Sequence, residues 1–396
     1  MTLTEILSSQ IRDTVKAILP TVSSTLNDRS SDKIDLATAE NWLIRPELQR
    51  LYKEAIQRHL TEDHLSYAQG FGGDASLLAS AADFFNTYFK PLSPVLSEHI
   101  VATPGATSCL DSLLFSICDE GDIVLVPAPY WSLLRAKVKI VPVITKYEIP
   151  VDGCNYEILH GSLLSSLNEV YESVADKSRV RALIVTNPHN PFAQCYHEAD
   201  LKEAITFCQR NGLHYISDEL YAMSDLQRKR LHDSNGGAPF VSALRLSHGS
   251  PELECQKLVP LPTTTHLLKS KQLPDLLEKA ATRLEEAHKT AIARFRQWGA
   301  PFIYPHAGPY VTVKLVKHAE SLEEENEGLE RLKQAGVMVS RLRGFGAWKG
   351  FSGNLNYYGW VRMTVAVPEG TLLDALDRIA DTMKYEEKEG IHSVVN

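Results

Sequence analysis

The residues best suited to chemistry are Ser217-Asp218-Glu219-Leu220-Tyr221, two carboxylates and a phenol that follow a short apolar run. A carboxylate at a strand end can hold a protonated pyridine nitrogen, and a nearby phenol can donate to an oxygen of the same ring. Upstream, Asn187-Pro188-His189-Asn190-Pro191 follows another apolar run. Its X-Pro steps restrict the backbone and hold the Asn190 amide at a strand end, though the same residues also suit an ordinary turn. Thr103-Pro104-Gly105-Ala106-Thr107-Ser108 lies between a short strand, 99–102, and a helical pattern over 109–118. Its amides and hydroxyls either cradle a phosphate or simply cap a helix. Pro129-Tyr130-Trp131, after a third apolar run, either lays an aromatic face over a planar ligand or packs in the core.

Elements of a particular kind must position these groups. Ile123-Val124-Leu125-Val126, Ala182-Leu183-Ile184-Val185 and His214-Tyr215-Ile216-Ser217 alternate with helical stretches, as in βαβ units whose mostly parallel sheet is covered on both faces. Ligands of such sheets bind at the C-terminal ends of the strands, and each polar cluster falls just after one. The last third differs. Leu276, Ala280, Leu284, Ala287, Ala291, Phe295 and Trp298 recur at three- and four-residue spacing until Gly299 stops the helix. Residues 310–315 and 360–365 then read as strands of a smaller α+β unit. The expected division is a large α/β domain over 46–270 and a small domain assembled from 1–45 and 271–396.

Composition narrows the function classes. A chain of 396 residues with 44% apolar and 23% charged content can bury a large core. Its 41 basic and 49 acidic residues give a net charge of -8 without any basic block, which argues against a nucleic-acid partner. No segment resembles a secretory signal or reaches the roughly 18 apolar residues that span a bilayer, so no membrane association and a cytoplasmic location are expected. Cys109, Cys118, Cys154, Cys195, Cys208 and Cys255 stand far apart, which points to reduced thiols and no metal site.

Taken in order, these motifs resemble the class I/II aminotransferases, pyridoxal-phosphate (PLP) enzymes of fold type I, and most closely the fungal relatives of 1-aminocyclopropane-1-carboxylate synthase. The resemblance takes in Asp35-Leu36-Ala37-Thr38-Ala39-Glu40-Asn41-Trp42-Leu43, Leu65-Ser66-Tyr67 and Gly70-Phe71-Gly72-Gly73, the clusters above, and the chain from about Thr265 onward. It implies an α/β large domain with a smaller α+β domain, a small-molecule substrate, and a homodimer with its site at the subunit interface. It places Ala106, Thr107 and Ser108 at the cofactor phosphate, Trp131 on the ring, Asn190 and Tyr221 at the ring oxygen, and Asp218 at the ring nitrogen. Asn41 falls among the substrate-binding residues, Tyr67 reaches into the neighbouring subunit's site, and Arg362 in Gly359-Trp360-Val361-Arg362 binds a carboxylate through its fork.

The departure from the family is equally specific. Where its members carry a strand, a Ser-Lys pair whose lysine forms the Schiff base, and a Gly-rich run with a phosphate-binding Arg, this chain passes from Ser247 to Pro262 without either motif and enters the next helix. Ala193 also replaces a glycine of the pattern. Lys257 is the substitute candidate, either a desolvated Schiff-base nucleophile or an exposed loop lysine, whereas Ser270-Lys271 belongs to a solvated helix. Three functions follow. One is a PLP-independent cyclase, dehydratase or lyase of fungal specialised metabolism that uses Asp218, Tyr221 or His189 for acid-base work. Another is a PLP-dependent lyase or aminotransferase using Lys257. The third is a noncatalytic binding protein or a splicing product. No cofactor is expected on the first reading, and PLP if Lys257 or noncovalent docking serves.

Overall fold

The computed structural model describes Val15 and residues 32–66, 70, 72–131, 138–145, 159, 161–226, 237–246, 253–255, 261–346 and 358–385. Tyr67 and Lys257 lie outside these residues.

Near the start of the described chain, β1 (Ile34–Asp35) leads to the helices α1 (Arg45–His59) and α2 (Ala75–Tyr88), and then to β2 (Ile100–Ala102) and α3 (Ala106–Ile117). A parallel sheet follows, with strands β3 (Ile123–Pro127), β4 (Lys139–Val143), β5 (Val180–Thr186) and β6 (His214–Asp218) in the order β4-β3-β5-β6. Alternation along these apolar strands feeds two cores. Val124, Val126, Ala182 and Ile184 pack with Leu114 of α3 on one face. Ile123, Leu125, Leu183 and Val185 pack on the other with residues of α4 (Leu163–Ser173) and α5 (Glu198–Asn211), among them Leu163, Leu201 and Phe207. Parallel strands need crossover connections, and α4 carries the chain from β4 to β5 and α5 from β5 to its neighbour β6.

The second sheet is antiparallel, with β8 (Phe302–Ile303), β9 (Tyr310–Lys314), β11 (Ser340–Arg341) and β12 (Trp360–Thr364) in the order β11-β12-β9-β8. The predicted long helix is α7 (Leu273–Trp298), whose face at Leu284, Ala291, Phe295 and Trp298 shares a core with Val311, Val313, Val361 and Met363. Gly299 ends it at φ +59, a left-handed conformation that a residue with a Cβ adopts at a cost. Between β9 and β11 lie α8 (Leu322–Gln334) and β10 (Val337–Met338), and β10 pairs in parallel with β1; α9 (Glu369–Met383) closes the described chain.

The stretch read from sequence as a loop after Tyr221 contains a strand. β7 (Leu253–Cys255) runs parallel to β2 with Ala102 opposite Cys255, and α6 (Leu261–Lys269) follows to pack on α1 and α2. Three residues carry too little periodicity to stand out in a sequence, yet they give β2 its hydrogen-bonded neighbour. No helix among the described residues is long and apolar enough to cross a membrane.

Candidate active site

The ends of the parallel strands gather one part of the site. Asp218 closes β6 half-buried, its Oδ2 accepting from the Thr186 hydroxyl at 3.1 Å and its Oδ1 from the Leu220 amide at 3.3 Å. Burial pushes its carboxyl up, against these hydrogen bonds, and no described cation offsets that. Tyr221 lies one turn on, its phenol pushed up to about 12 chiefly by burial and held down in part by Arg362. Glu219, half-buried between them, accepts from the Ser217 hydroxyl at 2.8 Å and the Ala243 amide at 2.7 Å, and burial raises it to about 7. The β5 and β6 ends are tied directly, the Asn187 amide donating to the Asp218 carbonyl at 2.9 Å.

The loop after β5 divides its residues between structure and site. Both of its X-Pro bonds, Asn187–Pro188 and Asn190–Pro191, are cis. Asn187 fastens the backbone, its Nδ2 donating to the Val241 carbonyl and its Oδ1 accepting from the Tyr196 amide, each at 3.1 Å. His189 stacks on Phe192 at 4.8 Å and meets Tyr196 edge-on, and burial lowers its imidazole to about 3. Its neighbourhood is that of a packed core residue. Asn190 instead reaches Arg362. Ala193 adopts φ +57, so this alanine keeps the left-handed turn that the family's glycine provides, and its carbonyl accepts from the amides of His306 and Ala307 at 2.6 and 2.9 Å. Ala193→Gly is expected to change stability by less than about 1 kcal/mol, because relief of the backbone penalty is offset by a freer unfolded chain and a lost buried methyl. Ala193→Val should cost more than about 2 kcal/mol in the same denaturation experiment, since a β-branched residue is a backbone outlier there.

From the second sheet comes Arg362, buried on β12. Its Nη1 donates to Asn190 Oδ1 at 3.0 Å and its Nη2 to the Ala37 carbonyl at 2.6 Å, with Ser340 Oγ at 3.4 Å. Tyr310 and Phe345 lie against the guanidinium, their ring centroids 5.0 and 5.3 Å from its carbon. Nε is buried with no hydrogen-bond partner. A buried guanidinium with a donor to spare can receive a carboxylate.

Gly105, at φ +112, turns the chain into α3, where the first-turn amides of Ala106 and Thr107 have no carbonyl in their own helix to bond. Ser108 bonds back to the Gly105 carbonyl, and Trp131 is 39% exposed beyond β3. Asn41 is exposed and uses its side-chain oxygen to accept the Leu43 amide at 3.0 Å, a local turn bond. Asp218, Tyr221, Asn190 and Arg362 thus converge, while His189 packs in the core. Tyr310, Phe345, Ser340 and the Ala37 carbonyl are parts of the site that sequence reading missed. Only Ala37 and Tyr310 fell within stretches singled out there, one in a resemblance segment and the other in a predicted strand.

Comparison with known proteins agrees with this architecture. The family model for aminotransferase class I and II matches residues 31–229. "Probable aminotransferase aclI" of Aspergillus oryzae is 33% identical over 423 positions, covering 94% of this chain and 97% of the relative. That span exceeds the 396 residues present here, so part of the relative has no counterpart in this chain. "1-Aminocyclopropane-1-carboxylate synthase-like protein 1" of Mus musculus is 24% identical, covering 90% of this chain and 77% of its own. Among solved structures, aspartate aminotransferase from Thermus thermophilus with maleate superposes with a TM-score of 0.71 at 20% identity, over 95% of this chain and 99% of that one. With its sheets, its strand-end residues and this similarity along most of its length, the chain belongs to the class I and II aminotransferase family.

Proposed function

We propose that this chain is a PLP-independent small-molecule enzyme: a cyclase, dehydratase or lyase of fungal specialised metabolism whose substrate carries a carboxylate. The observation that carries this reading is an assembled site, Asn190, Asp218, Tyr221 and Arg362, combined with a path from Tyr221 to α6 that has neither the Ser-Lys pair nor the Gly-x-Arg-x-Gly run. In this reading Arg362 takes the substrate carboxylate through its spare donors, and the Tyr221 hydroxyl, kept protonated by burial, donates its proton to a departing oxygen. The Asp218 carboxylate accepts the proton lost from carbon. The enzyme acts in the cytoplasm as a homodimer, with Tyr67 completing the neighbouring subunit's site and Asn41 at the substrate.

The same residues fit PLP held without a covalent bond. Asp218 is a buried carboxyl without a described cation, as a partner for a protonated ring nitrogen should be. Tyr221 and Asn190 would then hold the ring oxygen, Trp131 the ring face, and the amides of Ala106 and Thr107 with the Ser108 hydroxyl the phosphate. When bound, PLP supplies an electron sink.

A second reading, a PLP-dependent lyase or aminotransferase using Lys257, is favoured by β7. The register sets Cys255 opposite Ala102, the residue before Thr103-Pro104-Gly105, and Lys257 follows Cys255 by two positions in sequence. The test is an absorbance spectrum of the purified protein with and without PLP, followed by borohydride reduction and intact mass. No covalent adduct is expected. An adduct that disappears in Lys257→Ala would overturn PLP independence and establish the second reading.

A further inference from the structure

We infer that Thr312 is a positioning residue for this site: its hydroxyl, fastened to the backbone carbonyl next to Asn190, holds the Asn190 amide against the Arg362 guanidinium and so fixes the direction in which Arg362 presents its remaining donors. The inference deepens the proposed function and rests on it for the carboxylate that those donors receive.

Thr312 and Arg362 stand directly opposite each other on β9 and β12. Cross-strand partners project from the same face of a sheet, and the other face of this one, with Val311, Val313, Val361 and Met363, lies in the core beside α7. Thr312 is fully buried, and its hydroxyl donates to the Pro191 carbonyl at 2.7 Å, across 121 positions of sequence. Proline has no backbone N–H, so this carbonyl is the one main-chain hydrogen-bonding group of residue 191. Asn190, the residue before it, accepts from Arg362 Nη1 at 3.0 Å. The contacts form a closed circuit: across the strand pair from Arg362 to Thr312, through the hydroxyl to Pro191, and through the Asn190 side chain back to Arg362. The carbonyl on the other side of Asn190, that of His189, accepts from the Tyr310 hydroxyl at 3.4 Å, so of the two bonds flanking Asn190 the one from Thr312 is the shorter.

This placement has a chemical consequence. A guanidinium is rigid and planar, so two anchors fix its rotation within its own plane. For Arg362 these are Asn190 Oδ1 on Nη1 and the Ala37 carbonyl on Nη2, and they leave Nε buried without a partner and aimed in one direction. The Ala37 anchor comes from the segment after β1 and does not pass through Thr312. The Asn190 anchor is only as fixed as the loop that carries it. Valine has nearly the shape of threonine, favours strands equally, and at a position flanked by Val311 and Val313 would avoid burying a hydroxyl. The hydroxyl therefore serves its acceptor: without it the buried Pro191 carbonyl loses this donor, and the loop is free to carry Asn190 off Arg362.

The test uses Thr312→Val, which removes the hydroxyl, and Thr312→Ser, which keeps it, both in the full chain. The probe is the small dicarboxylate maleate, titrated by calorimetry. Thr312→Val should weaken maleate about fivefold, the effect of one neutral hydrogen bond, whereas Thr312→Ser should stay within about twofold of wild type. In an Asn190→Ala background, where no side chain remains to be positioned, Thr312→Val should change the maleate Kd by less than about twofold. A role in packing alone would give the same loss in both backgrounds. A readout that needs no ligand is rotation of the Arg362 guanidinium about its Cζ–Nη bonds, followed by nitrogen NMR with the signals assigned by their loss in Arg362→Met. Thr312→Val should speed this rotation about fivefold. Wild-type affinity in Thr312→Val, an equal loss in Thr312→Ser, or an undiminished loss in the Asn190→Ala background overturns the inference. If the wild-type protein does not bind maleate, the carboxylate part of the proposed function fails, and the rotation rate still decides on Thr312, an unchanged rate overturning it. Should Thr312→Val fail to fold, Thr312→Ala replaces it with the same expectations.

Discussion

Arg362→Met is expected to fold, with stability within about 2 kcal/mol of wild type, while, on the proposed carboxylate role of Arg362, binding of the dicarboxylate maleate used as a probe falls at least about a hundredfold. The two effects separate because the guanidinium is costly in its own setting. It is buried, no described carboxylate pairs with it, and its Nε has no partner. Methionine removes that desolvation cost and fills the space beside Tyr310 and Phe345 with a flexible thioether that packs well on aromatic rings. Against this, Asn190 Oδ1 and the Ala37 carbonyl lose their donors, a loss of about 1–3 kcal/mol for each buried acceptor that finds no other. Arg362→Ala has no such compensation, because it leaves a void between the two rings, and should cost about 3–5 kcal/mol. Chemical denaturation and calorimetry on the two variants check both statements. A methionine variant that still binds maleate at wild-type strength would remove Arg362 from the proposed carboxylate site.

The arrangement around Arg362 also shows where sequence reading reaches and where it stops. β3, β5 and β6 were legible because mainly apolar runs bounded by turn residues have few other uses, and α7 because a repeating three- and four-residue spacing ending at glycine marks a helix and its stop. Asp218, Tyr221 and Asn190 were legible as strand-end polar groups. His189 was not, since adjacent positions in a loop give no sign of which ring turns into the core and which amide turns to the site. Tyr310 was hidden differently. Every residue of 310–313 is buried, so alternation along β9 marks no single side as the site. The Ala37 carbonyl is a backbone group, invisible to a search by residue type, and reaches Arg362 across 325 positions of sequence.

Between pH 7 and pH 4.5, wild-type stability is expected to fall by no more than about 2 kcal/mol, whereas Glu219→Gln should lose roughly 5 kcal/mol over the same range. Two opposing sets of groups produce the difference. Burial holds His189 near 3 and His288 near 4, both below the ordinary 6.5, and the His288 Nε2 hydrogen donates to the Gly308 carbonyl at 2.9 Å. Below pH 6.5 the unfolded chain gains protons that the folded imidazoles refuse, so their contribution is full above 6.5 and is lost as pH falls toward 3 to 4. Glu219 acts in the opposite sense. Raised by burial from 4.5 to about 7, it contributes fully below 4.5 and loses that contribution as pH rises through 7, so acidification restores about 3 kcal/mol. Asp218, also raised, adds in the same direction. Glutamine at 219 can still accept from the Ser217 hydroxyl and the Ala243 amide but cannot titrate, which leaves the histidine loss uncompensated. Urea denaturation of both proteins at pH 7, 6, 5 and about 4.5 measures this, across the window set by these pKa values. Equal slopes would mean that Glu219 remains ionised in the folded protein, its hydrogen bonds outweighing burial.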